Sequence, residues 1–81
     1  MSARREVEEF VGRALRQFGC TLDGVARDAP IGRVFGEDAL DLVLYLEEFY
    51  DLDLADNLSL DQCIAEIARQ VDARGYGVVY D

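Results

Sequence analysis

The chain contains no histidine, no lysine and no tryptophan, and only one proline and two cysteines among its 81 residues. Each shortage removes a class of chemistry. Without histidine there is no imidazole base, no Ser–His or Cys–His nucleophile pair and no histidine-bearing zinc site. Hydroxyls are nearly as scarce, with Ser2, Ser59 and Thr21 the only serines and threonine. No apolar run approaches the ~18 residues of a membrane span. The start Met1-Ser2-Ala3-Arg4-Arg5-Glu6 leads into no signal-peptide stretch. Cys20 and Cys63 stand in no metal or redox spacing and read as small buried hydrophobes in a reducing compartment, so a cytoplasmic location is expected.

What is abundant is negative charge. Seventeen acidic side chains face eight arginines, a formal net charge of −9. Such an excess repels nucleic-acid phosphates and anionic lipid, so neither is an expected partner, whereas a basic protein surface is. The length predicts one small domain spanning residues 1–81, which buries roughly 60–65% of the surface its unfolded chain exposes. A composition of 51% hydrophobic and 31% charged residues argues against disorder. No internal repeat or linker interrupts the chain, and a monomer is expected.

Three amphipathic helices are legible. Over residues 4–18, Val7, Phe10, Val11, Ala14, Leu15 and Phe18 recur on one face, with Gly19 placed to end the helix in the left-handed region. Gly12 interrupts that helix at a cost of about 1 kcal/mol, which suggests a close neighbour that needs the room. Residues 19–35 carry Asp28-Ala29-Pro30 and irregular aliphatics, the pattern of a long loop pinned across a core. Over 37–50, Ala39, Leu42, Val43, Leu46, Phe49 and Tyr50 share a core face of about 120°. Glu37 and Asp38 begin that helix, where anions suit the macrodipole. Leu40 and Leu44 fall outside the core stripe. Residues 51–58 form a short acidic connection. Ser59 with Gln62 has capping-box spacing, and Leu60, Ile64, Ile67 and Val71 mark a third helix over 59–74, closed by Gly75. The tail 76–81 has strand-like composition without an evident partner.

Between Val34 and Ala68 stand ten acidic residues and no basic one. They form either a solvated face or a docking surface for a basic partner, and Leu40 and Leu44 rimmed by carboxylates favour the second. Asp51, Asp53 and Asp56 do not make a calcium loop, because counting from Asp51 the fifth, sixth and twelfth positions are Ala55, Asp56 and Gln62. No residue set supplies a nucleophile with its base, so catalysis is not expected.

The stretch from Gly36 to Asp56, centred on Leu42-Val43-Leu44-Tyr45-Leu46-Glu47-Glu48 and followed by Tyr50, Asp51, Asp53 and Leu54, resembles helix II of acyl carrier proteins. The likeness covers roughly residues 7–72 and implies an all-α bundle of three main helices with a long loop. It also implies that Leu40, Asp41, Leu44, Glu47 and Glu48 face a basic partner protein, such as a synthase, a transferase or a toxin, and Glu37 and Asp38 at the helix start are expected on the same surface. The family attaches phosphopantetheine to a serine at the start of that helix. Here an ungapped alignment puts Gly36 at the attachment position, and an alternative register through Asp38-Ala39-Leu40-Asp41 puts Ala39 there. Neither carries a hydroxyl, so no cofactor is expected. Gly36-Glu37-Asp38-Ala39 also looks like the helix start in a bacterial group of carrier-like domains of unknown function.

Three functions compete. The first is a non-catalytic carrier-like interaction module, not pantetheinylated. The second is a genuine acyl or peptidyl carrier with an engineered or atypical attachment site. The third is an acidic inhibitor or immunity protein of a basic nuclease. For this last, Phe35-Gly36-Glu37 faintly resembles the barstar type and the tail would supply a final strand.

Overall fold

The computed structural model describes residues 3–74. Helix α1 (Arg4–Arg16) buries Val7, Val11, Ala14 and Leu15. It ends two residues before the expected position because the chain turns through Gly19 at φ 76°. There Cys20 N–H donates to Leu15 O and Gly19 N–H to Arg16 O, both at 3.1 Å, the paired closing bonds of a left-handed helix stop. Phe18 thus packs on the core from the turn rather than from the helix.

The expected loop 19–35 is not wholly irregular. A 3-10 turn at Leu22–Gly24 is capped by Thr21, whose Oγ1 accepts from Gly24 N–H at 3.1 Å. A short helix, α2 (Ile31–Phe35), then follows Pro30. Proline suits a helix start, where its missing N–H would have no partner anyway, and Gly36 at φ 59° and ψ −124° ends the helix one turn later. One turn is too short to show a period, which is why the spacing of Ile31 and Val34 looked irregular. The loop is also fastened: Ile31 N–H donates to Leu58 O at 2.9 Å and Asp61 N–H to Arg27 O at 3.0 Å.

Helix α3 (Asp38–Tyr50) buries Leu42 and Leu46. It closes on Asp51, held left-handed at φ 55°, with Leu52 N–H donating to Glu47 O at 3.1 Å. Arg74 donates through Nη1 to Tyr50 O at 2.6 Å and through Nη2 to Asp51 O, satisfying carbonyls that a helix end leaves open. Beyond α3 the chain alternates, with Asp51 and Asp53 exposed and Leu52 and Leu54 buried. This connection is therefore part of the core, which its acidic composition concealed.

Helix α4 (Leu60–Ala73) starts from the expected capping box: Ser59 Oγ accepts from Gln62 N–H at 3.1 Å and Gln62 Oε1 from Ser59 N–H at 2.9 Å. It buries Leu60, Cys63, Ile64, Ile67, Ala68 and Val71 and packs chiefly on α1, while α3 contacts both α1 and α2. The fold is all-α. Among the described residues no strand forms, and the strand-like contact is an isolated bridge between Pro30 and Ser59. No helix there is long and apolar enough to cross a membrane. The expected closing Gly75 and the tail 76–81 lie outside the described residues.

Two expectations fail in detail. Phe49, placed on the core face of 37–50, is 59% exposed. The core arc of α3 is narrower than 120°, centred on Leu42 and Leu46, because α3 packs more on α2 than on α1. Phe49 sits at the margin of that arc, laid against Phe10. Gly12 has no neighbour within 4 Å of where a Cβ would stand, so no close approach requires it.

Candidate functional site

The acidic run separates into two populations once its partners are known. Asp61 Oδ1 accepts from Arg27 Nε at 2.8 Å, and Arg27 Nη2 reaches Glu8 Oε2 at 3.0 Å, tying α1, the loop and α4 together. These two carboxylates hold the Arg27 proton more firmly still than a free guanidinium does. Glu66 accepts from Arg69 Nε at 3.1 Å and from Gln70 Nε2 at 2.8 Å; Arg69 first and Gln70 second pull its pKa down to about 2. Glu47 is half-buried and its Oε2 accepts from Leu54 N–H at 2.8 Å, fixing the turn after α3. Three of the ten acids therefore have internal work.

The other seven are Glu37, Asp38, Asp41, Glu48, Asp51, Asp53 and Asp56, all exposed. None of them has an ion-pair partner among the described residues. Glu37 stands at the N-cap of α3 without a side-chain cap bond, and Asp38 and Asp41 occupy its first turn. Asp41 and Glu48 lie two turns apart on the side of α3 opposite Leu42 and Leu46.

Two apolar strips flank that acidic ridge. On one side are Leu40, 65% exposed, and Leu44, 44% exposed. Leu40 borders a groove of about 380 Å³ whose lining includes Ile31, Gly36, Ala39, Val43 and Cys63. Cys63 is free and buried, and burial foremost, with the charge of Glu47 adding to it, pushes its thiol pKa up to about 11. It is an inert core residue. On the other side are Tyr45 and Phe49, both exposed. Phe49 stacks on Phe10 of α1 with centroids 4.0 Å apart, and Tyr45 lies nearly parallel to Phe10 at 5.7 Å. Sequence reasoning missed this second strip because it assigned Phe49 to the core and gave Tyr45 no role. A 3.6-residue wheel signals a flank for both, but cannot tell which flank finds a neighbour.

Of the residues expected to face a partner, Glu37, Asp38, Leu40, Asp41, Leu44 and Glu48 are exposed together on α3 and its N-terminus. Glu47 is set apart by its bond to Leu54. The phosphopantetheine implied by the resemblance finds no fitting residue at this helix start. Gly36 and Ala39 have no hydroxyl, and Gly36 also holds a backbone conformation that residues with a Cβ avoid. Ser59 is 7% exposed with its Oγ engaged in the capping box. Among the described residues no three His, Cys, Asp or Glu side chains come together as metal ligands. No protein-family model matches the chain, and neither a curated protein nor a solved structure does.

Proposed function

We propose that the protein is a non-catalytic interaction module, a carrier-like bundle of three main helices that carries no phosphopantetheine and docks a basic protein through α3. The observation that supports this reading best is the set of exposed carboxylates on and beside α3 without basic partners among the described residues. Leaving so many like charges together costs self-repulsion, and a cationic surface relieves it. Leu40 and Leu44 give such a surface an apolar centre to close over.

The test is charge reversal at positions free of internal work, Asp41→Arg with Glu48→Arg. Glu47 is left intact because its replacement would also release Leu54 N–H. A partner recovered at low salt is expected to bind the double variant at least about tenfold more weakly, with an unchanged melting curve. Equal binding would remove α3 as the docking face. The carrier alternative is checked separately by intact mass after incubation with a phosphopantetheinyl transferase and coenzyme A. No mass gain is expected, and the addition of one phosphopantetheine would overturn the reading.

A further inference from the structure

The aromatic strip on α3 makes a more specific demand on the partner than charge alone. Phe10 and Phe49 lie face to face, 4.0 Å apart and within 20° of parallel. Tyr50 stands perpendicular to both, 5.4 Å from Phe10 and 5.0 Å from Phe49. Being nearly equidistant, Tyr50 abuts the side of the stack and does not cover its outer face. With its inner face on Phe10 and 59% of its surface exposed, Phe49 offers an open aromatic face to solvent. Burying a second aromatic ring there would ignore the charge around it. Asp41 and Glu48 lie four residues before and three after Tyr45, and Tyr45 lies four before Phe49, so all share one side of α3.

We propose that the partner presents an arginine, whose guanidinium stacks on the outer face of Phe49 while the adjacent Glu48 accepts its in-plane N–H groups. This rests on the reading that α3 docks a basic protein, and it names the side chain that docking uses. An aromatic π face attracts a cation, and a flat, weakly hydrated guanidinium can stack and hydrogen-bond at its edge simultaneously. A lysine ammonium is more strongly hydrated and has no plane to stack, so it gains less from the same surface. Phe10 fixes the orientation of the platform before the partner arrives, which lowers the ordering cost of binding.

The experiment titrates the full chain at low salt with two synthetic amphipathic peptides, identical except that the arginines of one are lysines in the other. The arginine peptide is expected to bind about three- to tenfold more tightly. Phe49→Leu keeps an apolar side chain on Phe10 and is expected to abolish that preference while leaving the affinity for the lysine peptide unchanged. Asp41→Asn with Glu48→Gln is expected to weaken both peptides. Equal affinity for the two peptides, or a preference that survives Phe49→Leu, overturns the arginine platform and leaves the docking reading standing. Failure of both peptides to bind overturns the docking reading and the platform with it.

Discussion

Helices α3 and α4 are almost the same length and face the same core, yet they treat their side chains in opposite ways. On α4 the start is closed by a reciprocal capping box, its acids Asp61 and Glu66 are matched by Arg27 and Arg69 while Asp72 accepts from Ala3 N–H, and its long aliphatics are buried. On α3 the N-cap has no side-chain bond, Asp38, Asp41 and Glu48 have no ion-pair partner among the described residues, and Leu40, Leu44, Tyr45 and Phe49 are partly exposed. A helix whose charges and apolar groups are all satisfied internally is there to hold the fold. One that leaves both kinds open on its outer side has them available for another molecule.

That contrast can be broken by measurement. The largest effect is expected in the core of α4: Ile67→Ala should destabilise by about 2–5 kcal/mol in chemical denaturation, because the cavity has no solvent to fill it. Leu40→Ala on α3 should stay within about 0.5 kcal/mol of the parent. Comparable losses at both sites would mean that α3 is as structural as α4. At the helix starts, Ser59→Ala should cost about 0.5–2 kcal/mol by removing an acceptor for Gln62 N–H. Glu37→Ala should cost much less, since Glu37 makes no cap bond.

The two glycines sharpen the comparison further, with opposite signs. Gly36→Ala should destabilise by about 1–3 kcal/mol because of its positive φ, whereas Gly12→Ala should stabilise α1 by about 0.5–1 kcal/mol because nothing crowds it. Denaturant midpoints moving in the same direction would contradict this. The smallest effect concerns pH. The carboxyl of Glu66 is held at about 2 in the folded chain against an ordinary 4.5, so its pairing favours folding fully above about 4.5. That contribution declines as the pH falls and is gone once it passes below about 2. A Glu66→Gln variant should therefore be less stable than the parent at pH 6, with the gap closing toward pH 2. A gap independent of pH would show that charge plays no part.

Periodicity exposed α1, α3 and α4 because each runs for three turns or more and repeats its aliphatic face. The Ser59–Gln62 box was legible because its chemistry is local, two side chains answering two backbone N–H groups three residues apart. What escaped notice depended on geometry that a linear pattern does not carry. Helix α2 is a single turn, bounded by Pro30 and Gly36 rather than by any repeat. Leu52 and Leu54 alternate with aspartates in a stretch whose charge masked its buried side. The site was half visible for the same reason. Leu40, Leu44 and the acids followed from the wheel, whereas the exposure of Phe49 depends on where α1 places Phe10. The bond from Leu54 N–H to Glu47 depends on a tight turn that the composition of 51–58 does not announce.

Gly36 also limits how this chain can change over time. Its torsions, φ 59° and ψ −124°, belong to a region that L side chains enter only at about 1–3 kcal/mol. That is a large share of the ~5–15 kcal/mol that holds a small domain folded. A codon drifting from glycine to serine there would gain a hydroxyl at that cost in stability. Three residues later Ala39 lies within α3, where a serine fits the backbone without strain. New side-chain chemistry can therefore enter this helix start at 39 far more easily than at 36, and the turn before α3 acts as a filter on what its descendants can become.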